Sequence, residues 1–164
     1  MAKMKTSPKW MIEAEKYLGL AEVKGPKHNP VILGWLRKLK AWWAEDETPW
    51  CGTFVANCMN DVGLAPPKAW YRAMAWTGWG RAVVPQFGAV LVFKRPGGGH
   101  VGFYLGEDRT RFRVRGGNQN NQVSDTWIDK IRLVGCRWPS EVPVPNTGRV
   151  MLADNGQPSS TNEA

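Results

Sequence analysis

The sequence has little histidine, few cysteines in an odd number, and no long apolar run. Only His28 and His100 carry imidazoles, and only Cys51, Cys58 and Cys136 carry thiols. An odd count argues against a disulfide framework and for thiols with separate roles. A structural zinc site takes four Cys/His ligands in closely spaced pairs, a spacing these five residues lack. No metal and no cofactor is expected. No stretch approaches the roughly 18 apolar residues that span a bilayer. The N-terminus, MAKMKTSPKW, is basic with no apolar segment behind it, so no secretory leader is expected and synthesis in a cytoplasm is. No internal repeat is visible, and no RNA- or DNA-binding signature such as an aromatic strand motif, so nucleic acid is not an expected partner.

What is present is the composition of a single packed domain: 164 residues, 43% hydrophobic and 22% charged. A monomer is expected. Tryptophan supplies 10 residues, more than tyrosine (3) and phenylalanine (5) together, which raises the possibility of a ligand-stacking surface. The net charge of +8 is uneven. Residues 1–40 and 94–140 carry nine basic side chains each, against three and four acidic ones, while 41–93 is close to neutral. Such a field attracts polyanions: nucleic acid, anionic lipid, or the phosphates and carboxylates of a bacterial envelope. It also serves solubility.

Helical signals come first. Ser7-Pro8 and Asn29-Pro30 read as caps followed by proline at the first helical position. Trp10, Met11, Ala14, Tyr17 and Leu18 recur at helical spacing behind the first. Ile32, Trp35, Leu36, Leu39 and Trp43 do so behind the second. Thr48-Pro49 is a third start, followed by the stripe Cys51, Phe54, Val55, Cys58, Met59 and Val62, a buried helix face. A shorter helix is expected from Lys68 to Trp76. After Gly80 the period changes. Residues 89–93 and 100–105 read as a hairpin around Pro96-Gly97-Gly98-Gly99, with further strands at 111–115, near Val123 and at 131–138. Helices followed by an antiparallel sheet means α+β. The expected domain is 1–140, with 141–164, rich in Pro, Ser, Asn and Gly, as a flexible tail.

Cys51 falls in the first turn of the third helix, where backbone amides lack intrahelical partners and the dipole is positive. Both effects lower a thiol pKa and offer oxyanion donors. Cys58 and Cys136 read as core thiols. His100 opens a strand after a glycine-rich turn and shares a strand face with Gly102 and Tyr104, where the small Gly102 leaves room for a helix end or a substrate. A helix-borne thiol facing a strand-borne imidazole is a nucleophile–base pair. A third group should orient the ring. Gly116-Gly117-Asn118-Gln119 supplies it, with Asn118 the first choice and Gln119 the second. His28, in the loop before the second helix, and Trp50, Trp76 and Trp79 are candidates to line the cleft. Trp10, Trp35, Trp42, Trp43 and Trp70 fall on or beside helical stripes and read as packing.

These residues carry a resemblance. The block 48–55, TPWCGTFV, resembles the nucleophile helix of CHAP-type (cysteine, histidine-dependent amidohydrolase/peptidase) and NlpC-type cell-wall hydrolases. GHVGF at 99–103 resembles their histidine strand. GGNQN at 116–120, residues 25–30 and residues 73–80 resemble a phage-associated branch of that group. The order Cys, His, Asn with spacings of 49 and 18 residues is specific in combination, and the likeness spans about residues 10–139. It implies a papain-like α+β fold and hydrolysis of a peptidoglycan amide: Cys51 attacks, His100 moves the proton, Asn118 fixes the tautomer, and the Cys51 amide helps bind the oxyanion. It implies that Asp46 and Glu47, just upstream, either contribute to the cleft or bind a cation as acidic groups in some CHAP relatives do; their spacing is not that of a calcium loop, so no metal is expected. It also implies an endolysin that accumulates in the host cytoplasm and reaches the wall once the membrane opens, its charge suiting an anionic envelope. A tail-associated lysin or secreted effector fits the same residues. Two readings of other classes stay open: a basic, Trp-rich binding module for cell wall or nucleic acid, and a thiol acyltransferase using the same pair.

Overall fold

A computed structural model describes residues 7–25, 27–45 and 48–163. Three helices precede a six-stranded antiparallel sheet. Helix α1 (Lys9–Lys16) starts one residue later than expected, with Pro8 in the cap position. It buries Trp10, Met11 and Ala14, and Trp10 Nε1 donates to Gly88 O at 2.8 Å. Helix α2 (Pro30–Lys38) is capped as the sequence reads: Asn29 Oδ1 accepts from Val31 N at 2.8 Å and Pro30 sits at the first position. It stops at Lys38, short of Trp43, because Lys40 takes a left-handed φ of 60°. Trp42 is thereby 87% exposed rather than packed on a helical stripe. Helix α3 (Cys51–Asp61) is buried along its first nine residues.

The expected helix over 68–76 is instead a set of turns leading into a 3₁₀ segment, Ala73–Gly78. The sheet runs β1 (Arg81–Ala82), β6 (Leu133–Trp138), β2 (Val90–Arg95), β3 (Gly98–Glu107), β4 (Arg111–Gln119), β5 (Gln122–Asp129) in spatial order. β2 and β3 form the anticipated hairpin, turning at Pro96-Gly97, where Gly97 takes φ 78°. Both faces of β2 and β3 are buried, which explains their nearly continuous apolar run. Helix α3 packs on β3 and β4, with Phe54 and Phe103 centroids 6.0 Å apart.

The segment after Pro139, expected as a loose tail, is tied to the sheet at several points. Val150 O accepts from Glu107 N, and Val150 N donates to Tyr104 Oη. Asn155 Oδ1 accepts from Trp127 Nε1 at 2.8 Å, and Ser160 N donates to Trp127 O. Glu163 pairs backbone to backbone with Gln119 and is 4% exposed. Its polar composition lets it satisfy the open strand edges and the guanidiniums of Arg111 and Arg132. A composition read as disordered thus serves here as a strap.

Candidate active site

Cys51 is the first residue of α3, two positions nearer the helix start than the sequence suggests. Thr48 caps nothing; its hydroxyl and amide turn back to the Glu45 carboxylate. Trp50 occupies the cap position, and the first helical bond runs from Phe54 N to Trp50 O at 3.0 Å. The amides at the helix start therefore have no intrahelical partner. The thiol meets the backbone N–H groups of Gly52 and of Val101, the residue after His100, so the helix start abuts the histidine strand.

The electrostatic expectation is corrected. Burial pushes the Cys51 thiol above its usual range, and the Val101 and Gly52 amides and the Arg95 charge offset this only in part. At 4% exposure, loss of water outweighs the helix start. Burial thus works against a preformed thiolate. Burial also raises Cys58 well above the ordinary range and Cys136 to about 12.

His100 is fully buried, not projecting from a rim. Its ring stacks on Phe93, its cross-strand partner, at 6.4 Å. The space expected beside Gly102 is taken by β4: a Cβ there would lie 2.6 Å from Val114 Cγ1. His100 Nε2 lies 2.9 Å from Gln119 Oε1. Gln119 Nε2 donates to Val114 O at 3.1 Å and to Ser124 O at 2.7 Å. Carbonyls accept only from the NH₂ end, so the amide orientation is fixed and its oxygen must face the ring. The ring then carries its proton on Nε2, and Nδ1 is the basic nitrogen.

The amide that meets the imidazole is that of Gln119, the second choice from the sequence, and not that of Asn118. The β4–β5 register shifts between Gly116 and Gln119, inserting one extra residue in β4. Asn118 takes that bulge position with φ 58°. Regular alternation would put residue 118 on the face of Gly116; the bulge puts Gln119 there. Gly116 must be glycine for this, since a Cβ would lie 2.6 Å from Gln119 Oε1 and 3.2 Å from His100 Nε2. Asn118 Oδ1 is buried without a hydrogen-bond partner.

The cleft candidates separate. Trp50 (1% exposed) and Trp76 (0%) are core side chains, their indole N–H groups donating to Glu22 Oε1 and Trp70 O. Trp79 is half-buried, stacks edge-on against Trp76 at 5.0 Å and donates to Ala65 O. Large indoles fill the space under a short helix, and their N–H groups find carbonyls inside. His28 sits half-buried in the loop before α2 at φ 45°. Asp46 and Glu47 lie outside the described residues. Arg95, unremarked in the sequence, stands by the site; its only signal was a basic residue beside the glycine-rich turn that leads to His100. Among the described residues no group of three or more His, Cys, Asp or Glu could hold a metal ion.

A thiol at a helix start that abuts the strand carrying an imidazole of fixed tautomer has the parts needed for acyl transfer through a cysteine. The CHAP domain family model matches residues 43–120, a span just under half the chain that includes Cys51, His100 and Gln119. CHAP domains are typically cysteine/histidine-dependent amidohydrolases or peptidases on peptidoglycan. The α+β arrangement is compatible with a CHAP or papain-like fold. No curated protein matches the chain. No helix among the described residues is long and apolar enough to cross a membrane.

Proposed function

We propose that the protein is an endolysin-like enzyme that hydrolyses an amide bond of the peptidoglycan stem peptide through Cys51, His100 and Gln119. The observation that carries this reading is the pinned amide of Gln119. Its oxygen holds the Nε2–H tautomer of His100 and leaves Nδ1 to take the thiol proton. Burial favours the protonated thiol, so His100 acts as a general base when substrate arrives. Cys51 Sγ attacks the scissile carbonyl carbon, and free amides of the α3 start receive the developing oxyanion. The imidazolium returns its proton to the leaving amine, giving an acyl-enzyme. Water, deprotonated by the same nitrogen, releases the acid and restores the thiol. N-acetylmuramoyl-L-alanine amidase and stem-peptide endopeptidase activity both fit this sequence of steps. A phage role, synthesis in the host cytoplasm and a monomeric state complete the proposal, with the +8 charge drawing the enzyme to an anionic envelope.

The test incubates the protein and its Cys51→Ala variant with purified peptidoglycan and identifies released fragments by mass spectrometry. The parent should release new amino termini and the variant none. Equal digestion by the variant rules out the thiol mechanism; binding of the sacculus without digestion by the parent favours a wall-binding module.

A further inference from the structure

One guanidinium beside the site has no anionic partner among the described residues. Arg95 ends β2, half-buried, and its Nε donates to Gly99 O at 3.2 Å, one residue before His100. Among the described residues no carboxylate pairs with it. Arg95 opens onto a pocket of about 410 Å³ whose other walls include Asp129, Arg132, Ser159, Ser160 and Glu163. Every other charge in that pocket is engaged. Arg132 is spent on Lys94 O, Ser160 O and the Glu163 carboxylate. Glu163 also accepts from Ser160 Oγ, and Asp129 from Ser159 Oγ, both at 2.6 Å. The pocket abuts the catalytic residues on both sides, through Gly99 next to His100 and through the Glu163 backbone paired with Gln119.

We infer that this pocket is a subsite for a carboxylate of the substrate peptide, bound by the guanidinium of Arg95. The inference rests on the peptidoglycan-hydrolase reading, since stem peptides carry free carboxylates close to their amide bonds. A planar carboxylate matches the two outer nitrogens of a guanidinium. Arg95 and Arg132 are balanced by Asp129 and Glu163, so the pocket is neutral overall; a monoanion on Arg95 fits it better than a dianion such as phosphate, which Asp129 and Glu163 would repel more strongly. The strap supplies the far wall, so residues 159–163 shape substrate recognition as well as closing the sheet edge. The proximity of Arg95 to Cys51 means that a bound carboxylate also cancels a charge that favours the thiolate, consistent with general-base rather than preformed-thiolate chemistry.

The experiment uses the full chain carrying Cys51→Ala, so that nothing is turned over, and titrates it calorimetrically with two probes. One is the peptide L-Ala-γ-D-Glu-L-Lys with free carboxylates; the other is the same peptide fully amidated. The free acid should bind about tenfold or more tighter. Adding Arg95→Gln should abolish that difference by weakening the acid alone, and Arg95→Lys should restore part of it. Arg109→Gln, which removes an exposed charge elsewhere, should change neither. Equal affinity for both peptides, equal weakening of both by Arg95→Gln, or no binding of either overturns the subsite. If the parent still digests peptidoglycan in those cases, the hydrolase reading stands without it. If acid-selective binding holds while the parent digests nothing, the hydrolase reading fails and the carboxylate site survives.

Discussion

Removing the Gln119 amide is the sharpest perturbation of the proposed mechanism. Gln119→Ala deletes an acceptor 2.9 Å from His100 Nε2 and two donations, to Val114 O and Ser124 O. During attack the ring becomes an imidazolium, so the lost bond is one to a charged group, worth about 1.5–3 kcal/mol. At 1.36 kcal/mol per factor of ten, kcat should fall about 10- to 150-fold. KM should change little, because the amide touches the ring and not the substrate. Two carbonyls left without donors cost a further ~2–4 kcal/mol of folding stability, so rates must be compared well below the variant's melting temperature. The control is Asn118→Gly, which deletes the neighbouring amide while glycine accepts the 58° φ without strain. Release of soluble fragments from labelled peptidoglycan, followed at several substrate concentrations, gives kcat and KM separately. If folded Asn118→Gly loses more kcat than folded Gln119→Ala, the bulge argument is wrong and residue 118 is the orienting group.

Three further perturbations test the surroundings. Gly117→Ala would place a Cβ 2.6 Å from Phe54 Cβ and 2.9 Å from Trp50 Cε3, pushing β4 away from α3; thermal unfolding should show a loss of about 1–3 kcal/mol, together with reduced turnover. Burial of Glu107 would raise its carboxyl, but hydrogen bonds from Lys130, Tyr104 and Arg149 outweigh that and hold it below 4.5. Its folded pKa is thus the lower one, so its contribution is present above about pH 4.5 and is lost as pH falls through the folded value. Glu107→Gln should cost about 2–4 kcal/mol near neutral pH and flatten the acid limb of a denaturation-against-pH curve; an unchanged acid limb would contradict this. Cys58→Ala should lose about 1 kcal/mol or more, and both it and Cys136→Ala should keep turnover once folded. With thiols buried or raised to about 12, neither should be alkylated by iodoacetamide at pH 8, and inactivation by either substitution would move the nucleophile elsewhere.

Much of the scaffold was legible because it is local. The Asn29-Pro30 start, the Cys51-to-Val62 stripe and the β2–β3 hairpin depend on spacing, capping and turn chemistry that act within a few residues. The pairing of helix start with histidine strand was legible too, since a thiol in a first turn and an imidazole after a glycine turn each have a local signature. Other features have no such signature. The α2 helix ends at Lys38 because one backbone angle turns left-handed, and nothing in the apolar spacing through Trp43 announces it. Trp50 and Trp76 look like cleft residues from their neighbours in sequence, yet tertiary packing gives their indoles a core to fill.

The sequence by itself determined the element order, the nucleophile and base candidates, and the basic character that suits an anionic wall. Tertiary structure alone decided which amide meets the imidazole, since one bulge residue inverts the strand's alternation and trades Asn118 for Gln119. It also decided the state of the thiol, because desolvation depends on what surrounds Cys51 and not on its place in a helix. The fate of residues 141–164 was decided the same way. A segment with no apolar periodicity is ordered here by the strand edges and by the guanidiniums of Arg111 and Arg132, partners hundreds of atoms away along the chain and adjacent only once the sheet has formed.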